Sequence, residues 1–437
     1  MAFQIPKGVF DILPKAPKEA WKEVHLWQYL EKEIRSVCAL YGFEELRTPI
    51  FERTELFERS VGEGSDIVRK EMYTFIDKAE RSMTLRPEGT AAVMRSVIEK
   101  KNYEELPLQK FFYIAPMFRY ERPQAGRFRQ HHQFGVEVVG LAKPEQDVEV
   151  IELLYKLYSN LGLKNLKILI NCLGSKESRL SYQKHLKEYL RPFFENLSPD
   201  SKERFDKNTL RIFDSKDPKD QEILENAPLM KDHLDADAAT HFQRVCDLLE
   251  TLQIPYELEP SLVRGLDYYS KTVFEIVSGD LGAQNTIGAG GRYDGLIETL
   301  GGPDLPAVGF GTGLERILQT MLAQGLKMPQ KKRLNCFLIP MGPKAQEELW
   351  TFMAKLRERK ISCQMDFSGK KLKSSFKLAS QLNARYVLLL GDEELQNHEI
   401  VLKDMDAGDQ RKLAVENAIE EIEKIIEKDE NREKNHV

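Results

Sequence analysis

The sequence predicts an α+β chain: a first part built on a β-hairpin and helices, a helical middle segment, and a small α/β domain at its C-terminal end. Three observations predict it. An apolar and aromatic run, Lys110 to Phe118, is followed after a break at Pro123 and Gly126 by a second, Phe134 to Val139, as in a hairpin. From about Leu163 to Pro260 the chain becomes charge-rich and mostly helical, broken by Pro192, Pro199, Pro218 and Pro228. Beyond a linker, Gln324 to Arg333, apolar strand runs alternate with helical stretches, the pattern of a mainly parallel sheet.

Taken in order, Ala16-Pro17 precede an amphipathic helix in which Trp21, Val24, Trp27, Leu30, Ile34 and Val37 recur at spacings of three and four. Gly42 ends it. Glu44 to Phe51 reads as extended, with Pro49 marking an edge or an interface. Asp66 to Ile76 and Ser82 to Leu85 read as strands. Arg86-Pro87-Glu88-Gly89-Thr90 opens a helix from Ala91 to about Lys100, where Glu88 and Thr90 suit both capping and ligand binding. A helical module occupies Asn171 to about Pro260. Gly288 to Gly291 read as a glycine-rich turn, and Gly309, Gly311 and Gly313 as alternate strand positions that clear one face. A helix spans Leu314 to Met321. In the last domain the strands are Cys336 to Pro340, Ser362 to Asp366 and Tyr386 to Gly391. Its helices are Gln346 to Arg359, Phe376 to Asn383 and Ala414 to Lys428, before a charged, frayed tail.

The hairpin tip carries the chemistry. Phe118 to Glu137 hold four arginines and two glutamates around one turn, and guanidinium forks bind phosphate oxygens bidentately. Strand alternation puts Gln133, Gly135, Glu137 and Val139 on one face and the apolar Phe134, Val136 and Val138 on the other. Arg119 falls on the face of Phe111, Tyr113 and Met117. A polar floor beside arginines fits an ATP-like phosphate and a small cationic ligand. A solvated surface hairpin would carry charge too, but not in this residue order.

Composition sets the bounds. The chain has 437 residues, 30% charged and 41% hydrophobic, with a net charge of −5, as for a globular protein of two or three domains. An acidic average leaves room for a local basic surface. The five scattered cysteines lack C-x-x-C spacing, so packed thiols are expected, with no zinc site and no disulfide framework. No signal peptide and no bilayer-spanning apolar run are read, so a cytoplasmic location without membrane association is the default.

The order Phe118-Arg119-x-Glu121 with its loop resembles the second motif of class II aminoacyl-tRNA synthetases. Gly42 to Pro49 resembles their first motif and Gly309 to Arg316 their third. Leu262-Val263-Arg264-Gly265-Leu266-Asp267-Tyr268-Tyr269 is similar to the peptide that sets histidyl-tRNA synthetases apart. The resemblance runs from about Ile5 into the last domain. It implies a class II catalytic domain at 1–325, with an antiparallel sheet, flanking helices and a helical insertion at roughly 171–260. An α/β anticodon-binding domain at 334–430 is implied as well.

The resemblance further implies a homodimer built on the first motif, and L-histidine, ATP with Mg²⁺ and tRNA(His) as partners; the Mg²⁺ ligands stay unassigned. Arg119 and Arg264 take the catalytic roles at the α-phosphate and the histidine carboxylate. Arg127 and Arg316 hold the outer phosphates, and Glu121 and His131 belong to the ATP site. Glu137 and Tyr269 take the imidazole. Glu88, Thr90 and Gln133 take the α-amino group, with Gly89 beside them, and Tyr268 and Tyr293 line the pocket. Relatives usually carry phenylalanine, stacked on adenine, where this chain has His131. Lys370, Lys371, Lys373 and Lys377 are candidates for tRNA phosphate contacts. A synthetase for another amino acid, a non-catalytic synthetase-like regulator that binds RNA or a biosynthetic enzyme, and a generic ATP-binding protein are the competing readings. The Arg264–Tyr269 peptide and the retained arginines weigh against all three.

Overall fold

A computed structural model describes residues 3–16, 18–62, 65–121, 126–279, 285–369 and 371–434. The Pro123 break of the hairpin tip, Pro17, Lys370 and the end of the tail lie outside the described residues. The chain divides into two compact units, Met1–Pro329 and Gln330–Val437.

The strands of the first unit are β1 (Glu44–Glu45), β2 (Phe51–Arg53), β3 (Tyr73–Ile76), β4 (Ser82–Leu85), β5 (Gln109–Phe118), β6 (Gln130–Val139), β7 (Leu166–Cys172), β8 (Tyr256–Leu258), β9 (Ser270–Ser278), β10 (Thr286–Arg292) and β11 (Ala307–Gly313). Eight of them form one sheet in the order β1-β5-β6-β11-β10-β9-β7-β8. The six central strands are antiparallel to their neighbours, and the short edge strands β1 and β8 add in parallel. β2, β4 and β3 make a separate small sheet.

Strand alternation gives the large sheet two different faces. One carries Phe134, Val136, Val138, Phe274, Ile276, Val308 and Phe310 into a core. That core is closed by α1 (Val24–Leu40) and, further along the chain, by the helices Pro144–Asn160, Ala236–Thr251 and Leu314–Ala323. The expected stripe of the first helix is buried from Trp27 onward, while Trp21 belongs to a preceding 3₁₀ turn and accepts at its carbonyl from Trp27 Nε1 at 2.7 Å. The other face carries Tyr113, Met117, Val273, Tyr293 and the polar positions of β6. It is covered by the helix Thr90–Lys100 and by helices drawn from the middle segment.

Four expectations change here. Glu44 to Phe51 is not one strand: β1 joins the large sheet and β2 the small one, with Pro49 between. Arg86 holds this corner from inside, donating to the carbonyls of Thr48, Pro49 and Pro116. Ile67–Glu71 is a short π-helical turn rather than strand, and only Tyr73–Ile76 is extended. Gly288–Gly291 is strand β10, not a turn, because its neighbour strand presses close; a Cβ on Gly290 would lie 2.2 Å from Gly309 O. The middle segment is helical only inside 176–251. Its ends, β7 and β8, are strands of the large sheet, and the helix Ala236–Thr251 packs into the main core through Val245 and Leu249.

The second unit has a five-stranded sheet. Strands 363–365, 334–340 and 384–390 run parallel, as expected. Strands 399–404 and 410–414, absent from the sequence reading, add an antiparallel hairpin, so the sheet is mixed. Helices Pro343–Glu358, Leu372–Gln381 and Val415–Lys434 accompany it. All five cysteines are buried free thiols. Among the described residues no helix is long and apolar enough to cross a membrane.

Candidate active site

Two adjoining cavities open on the polar face of the large sheet. The inner one, about 210 Å³, is lined by Glu88, Thr90, Gln133, Tyr268, Tyr269, Ala289, Tyr293 and the β11 segment from Gly309 to Gly313. The outer one, about 480 Å³, is lined by Asp66, Glu71, Glu121, Gly126, Arg127, Arg211, Glu315 and Arg316, among others. Arg119, His131, Arg264, Leu266 and Gly313 line both.

The inner cavity is organised by carboxylates. Glu88 stands at the start of the helix Thr90–Lys100, where its Oε2 accepts from Thr90 N at 2.7 Å and its Oε1 from Ala91 N at 2.9 Å. It therefore caps the helix and lines the cavity at once. Burial raises its pKa against those two bonds. Glu137 lies just behind the wall. It accepts from Thr90 Oγ1 at 2.7 Å and from the Tyr293 hydroxyl. Burial holds its pKa well above the usual carboxylate range, and Glu88 pushes it the same way.

The alternating glycines of β11 make the room. A Cβ on Gly309 would lie 2.5 Å from Glu137 Oε2, and one on Gly311 2.3 Å from Gln133 Nε2. Gln133 Nε2 donates to the Tyr113 hydroxyl at 2.9 Å. Tyr113 is a site residue that the sequence reading passes over. Its ring is gripped between Gly89 and Gly135, where any Cβ would come within 2.3 Å of it. With one amide N–H given to Tyr113, Gln133 keeps its carbonyl oxygen as an acceptor in the wall of the inner cavity.

The outer cavity is organised by arginines. Arg119 Nε donates to Pro87 O at 2.8 Å, which fixes the stem and sets the guanidinium at the junction. Arg127 pairs with Glu121 at 3.2 Å. Arg316 lies against Gly126, a position with φ +78° where a Cβ would meet its guanidinium at 2.5 Å. Burial, then the nearby Arg127, lower the pKa of Arg316. Burial, then Arg119, push His131 down to about 3, so its ring is neutral and presents a flat face. Glu315 accepts from both His132 N (2.8 Å) and His132 Nδ1 (2.9 Å), locking the start of the helix Leu314–Ala323 to β6.

The structure thus brings Glu88, Thr90, Arg119, Glu121, Arg127, His131, Gln133, Arg264, Tyr268, Tyr269, Tyr293 and Arg316 onto the walls of the two cavities. Gly89 and Glu137 stand one layer behind them. Beside Tyr113, the sequence reading misses Asp66, Glu71 and Arg211 in the outer cavity. It also misses Glu275, whose only signal is a lone carboxylate inside an apolar strand run.

Known proteins match this chain over nearly its full length. The family model described as histidyl-tRNA synthetase matches residues 8–317, and that described as anticodon binding domain matches 335–425. A histidine–tRNA ligase of Protochlamydia amoebophila (strain UWE25) is 56% identical over 416 residues, 95% of this chain and 98% of the relative. One of Desulfitobacterium hafniense (strain DSM 10664 / DCB-2) is 47% identical over 432 residues, 99% and 100% of the two chains. The crystal structure of apo S. aureus histidyl-tRNA synthetase superposes with a TM-score of 0.80 at 35% identity, covering 97% of this chain and all of that one.

Proposed function

Since this chain belongs to the histidyl-tRNA synthetase family, we propose that its two cavities divide the small substrates, histidine in the inner one and ATP in the outer. The chain is an aminoacyl-tRNA ligase with the class II catalytic fold. Histidine carboxylate attacks the α-phosphorus of ATP and pyrophosphate leaves. A ribose hydroxyl of the terminal adenosine of tRNA then attacks the adenylate carbonyl and AMP leaves.

The observation that carries the division is the shared wall. Attack requires the carboxylate and the α-phosphate at one point, and Arg119 and Arg264 stand where the cavities meet. Two guanidinium groups there offset the mutual repulsion of the anions and stabilise the charge of the transition state. Arg127 and Arg316 hold the outer phosphates, Glu121 takes part in the ATP site, and the neutral His131 ring faces adenine. In the inner cavity, Glu88, Thr90 and the Gln133 carbonyl oxygen receive the α-ammonium group. Glu137 and Tyr269 receive the imidazole, with Tyr268 and Tyr293 as walls. A pocket of buried acceptors rejects side chains without ring N–H groups, because those acceptors would stay unpaired. Glu71 and Glu121 share the outer cavity with the arginines and are the carboxylates that would hold a Mg²⁺ ion bound with the phosphates, where it would offset their charge.

The rest of the proposal concerns assembly and RNA. Ile50, Phe51, Phe75 and Ile76 are exposed at the small sheet beside the first motif, an apolar patch suited to a second copy of the chain. In the second unit Lys371, Lys373 and Lys377 are exposed around the start of the helix Leu372–Gln381, in keeping with phosphate contacts to tRNA(His). The work of charging tRNA puts the enzyme in the cytoplasm. The deciding experiment is ATP–pyrophosphate exchange with each of the twenty amino acids, without tRNA. Exchange with histidine alone is expected. Exchange with any other amino acid overturns the assignment of the inner cavity.

A further inference from the structure

Arg264 lies in a stretch without regular secondary structure, Glu259 to Tyr269, so its backbone alone does not fix where its guanidinium sits. The fixing comes from the sheet. Nη1 of Arg264 is ion-paired with Glu275 Oε1, and the other oxygen of that carboxylate accepts from Thr286 Oγ1 at 2.8 Å. Glu275 is on β9 and Thr286 on β10, so one carboxylate is held by two adjacent strands. Its Cα partner across the ladder is Ala289, part of the inner cavity wall. The Tyr269 ring, 5.5 Å from Arg264 Cζ, closes the other side. Arg264 Nε is buried and has no acceptor among the described residues. One edge of the guanidinium is therefore taken by the sheet, and the residue forms part of the wall shared by both cavities.

We propose that Glu275, oriented by Thr286, is the positioning residue that aims Arg264 at the reacting carboxylate and α-phosphate. The inference rests on the reading of Arg264 as catalytic. Glu275 faces neither substrate. It acts through Arg264, and it also supplies a negative charge beside the arginines of the junction, which would otherwise repel one another. A strand-borne carboxylate is a stiffer anchor than a loop, and an error of about 1 Å in aim costs about 10²-fold in rate.

The test is a double-mutant cycle in the full-length enzyme, read by histidine-dependent ATP–pyrophosphate exchange. Glu275→Ala is expected to lower kcat about 10- to 100-fold while the KM values for histidine and ATP move less than about threefold. In an Arg264→Ala background the same substitution is expected to cost less than about twofold, since there is nothing left to aim. Glu275→Gln, which keeps the shape and one acceptor, should restore part of the rate and guards against a variant that folds poorly. If Arg264→Ala leaves exchange intact, the catalytic reading of Arg264 fails. If Arg264→Ala is slow but Glu275→Ala matches the parent enzyme, the present inference alone is overturned. An equal loss from Glu275→Ala with and without Arg264 overturns it as well.

Discussion

Gly311→Ala is the cleanest perturbation of the inner cavity, because the structure says what the new methyl would strike. A Cβ at this position lies 2.3 Å from Gln133 Nε2, and its next two neighbours, at 3.0 and 3.6 Å, belong to the same side chain. Backbone is not among them. The amide must retreat until 2.3 Å becomes the 3.4 Å of ordinary contact, which breaks its 2.9 Å bond to the Tyr113 hydroxyl and turns its carbonyl away from the cavity. A hydrogen bond to a charged group is worth about 1.5–3 kcal/mol, and each ~1.4 kcal/mol is tenfold. The KM for histidine should therefore rise about 10- to 100-fold, with the KM for ATP within about twofold. Stability should hold, since the pairing of Gly311 with Gly135 in the β6–β11 ladder is undisturbed. Gly309→Ala is the control: its Cβ would lie 2.2 Å from Val136 O, so the strand itself must give and the melting temperature should fall. Pyrophosphate exchange and thermal unfolding on both variants decide the matter. An unchanged histidine KM in Gly311→Ala would refute the role of Gln133, and a melting loss equal to that of Gly309→Ala would refute the packing argument.

Two other outcomes follow from the buried charges. Glu137→Gln should raise the KM for histidine by about 10-fold, the loss of a buried hydrogen bond, and leave the KM for ATP nearly unchanged; parallel rises in both would count against the assignment. Asp147 is buried with Arg292 and His241, accepting from Arg292 Nε at 2.8 Å and pairing with His241 Nε2 at 2.7 Å. Burial pushes its pKa up, but Arg292 and His241 outweigh that and hold it below the ordinary 3.8. A depressed carboxylate stabilises the fold above its unfolded pKa and loses that contribution as the pH falls through the folded value. Asp147→Asn should thus cost about 3–5 kcal/mol near neutral pH, with the gap in melting temperature narrowing below pH 3.8. A gap that stays constant into acid would refute the ionic account.

How much of this the sequence discloses depends on how local each cause is. The hairpin, its two faces and the helix that follows Glu88 rest on alternation and capping, which operate over a few residues. Ile67–Glu71 has no decisive period, and its helical turn is helped by Ser65 Oγ accepting from Val68 N at 3.3 Å, a bond that residue order does not advertise. The glycines of β10 read as a turn when taken alone; only the pressure of β11 explains them as strand. Strands 399–404 and 410–414 escape notice because few of their residues are buried and their turn, with Gly408 at φ +79°, is short. Tyr113 and Glu275 stand in apolar strands and look like core or chance. Their roles come from partners 20 and 11 residues away.

The same distinction between local and distant causes explains why the helical middle segment interrupts the sheet at all. The Arg264–Tyr269 peptide is held by β9 on one side and by that segment on the other. Arg179, on the helix Lys176–Leu190, donates to the carbonyls of Asp267 and Tyr269. Asn208 Nδ2 donates to Asp267 Oδ1 at 2.6 Å. Arg211, a wall of the outer cavity, pairs with Asp66 at 3.0 Å and so joins the segment to the turn at Ile67–Glu71 on the opposite rim. Leu173, Tyr182 and Leu186 share their hydrophobic cluster with Leu262, Val263 and Tyr269. A peptide without helix or ladder bonds of its own gets its rigidity from these contacts. The insertion therefore acts as the second jaw of a clamp on this peptide. Its charged surface hides that function from a reading of sequence texture, since three of the bonds end on backbone or side-chain atoms of the peptide it grips.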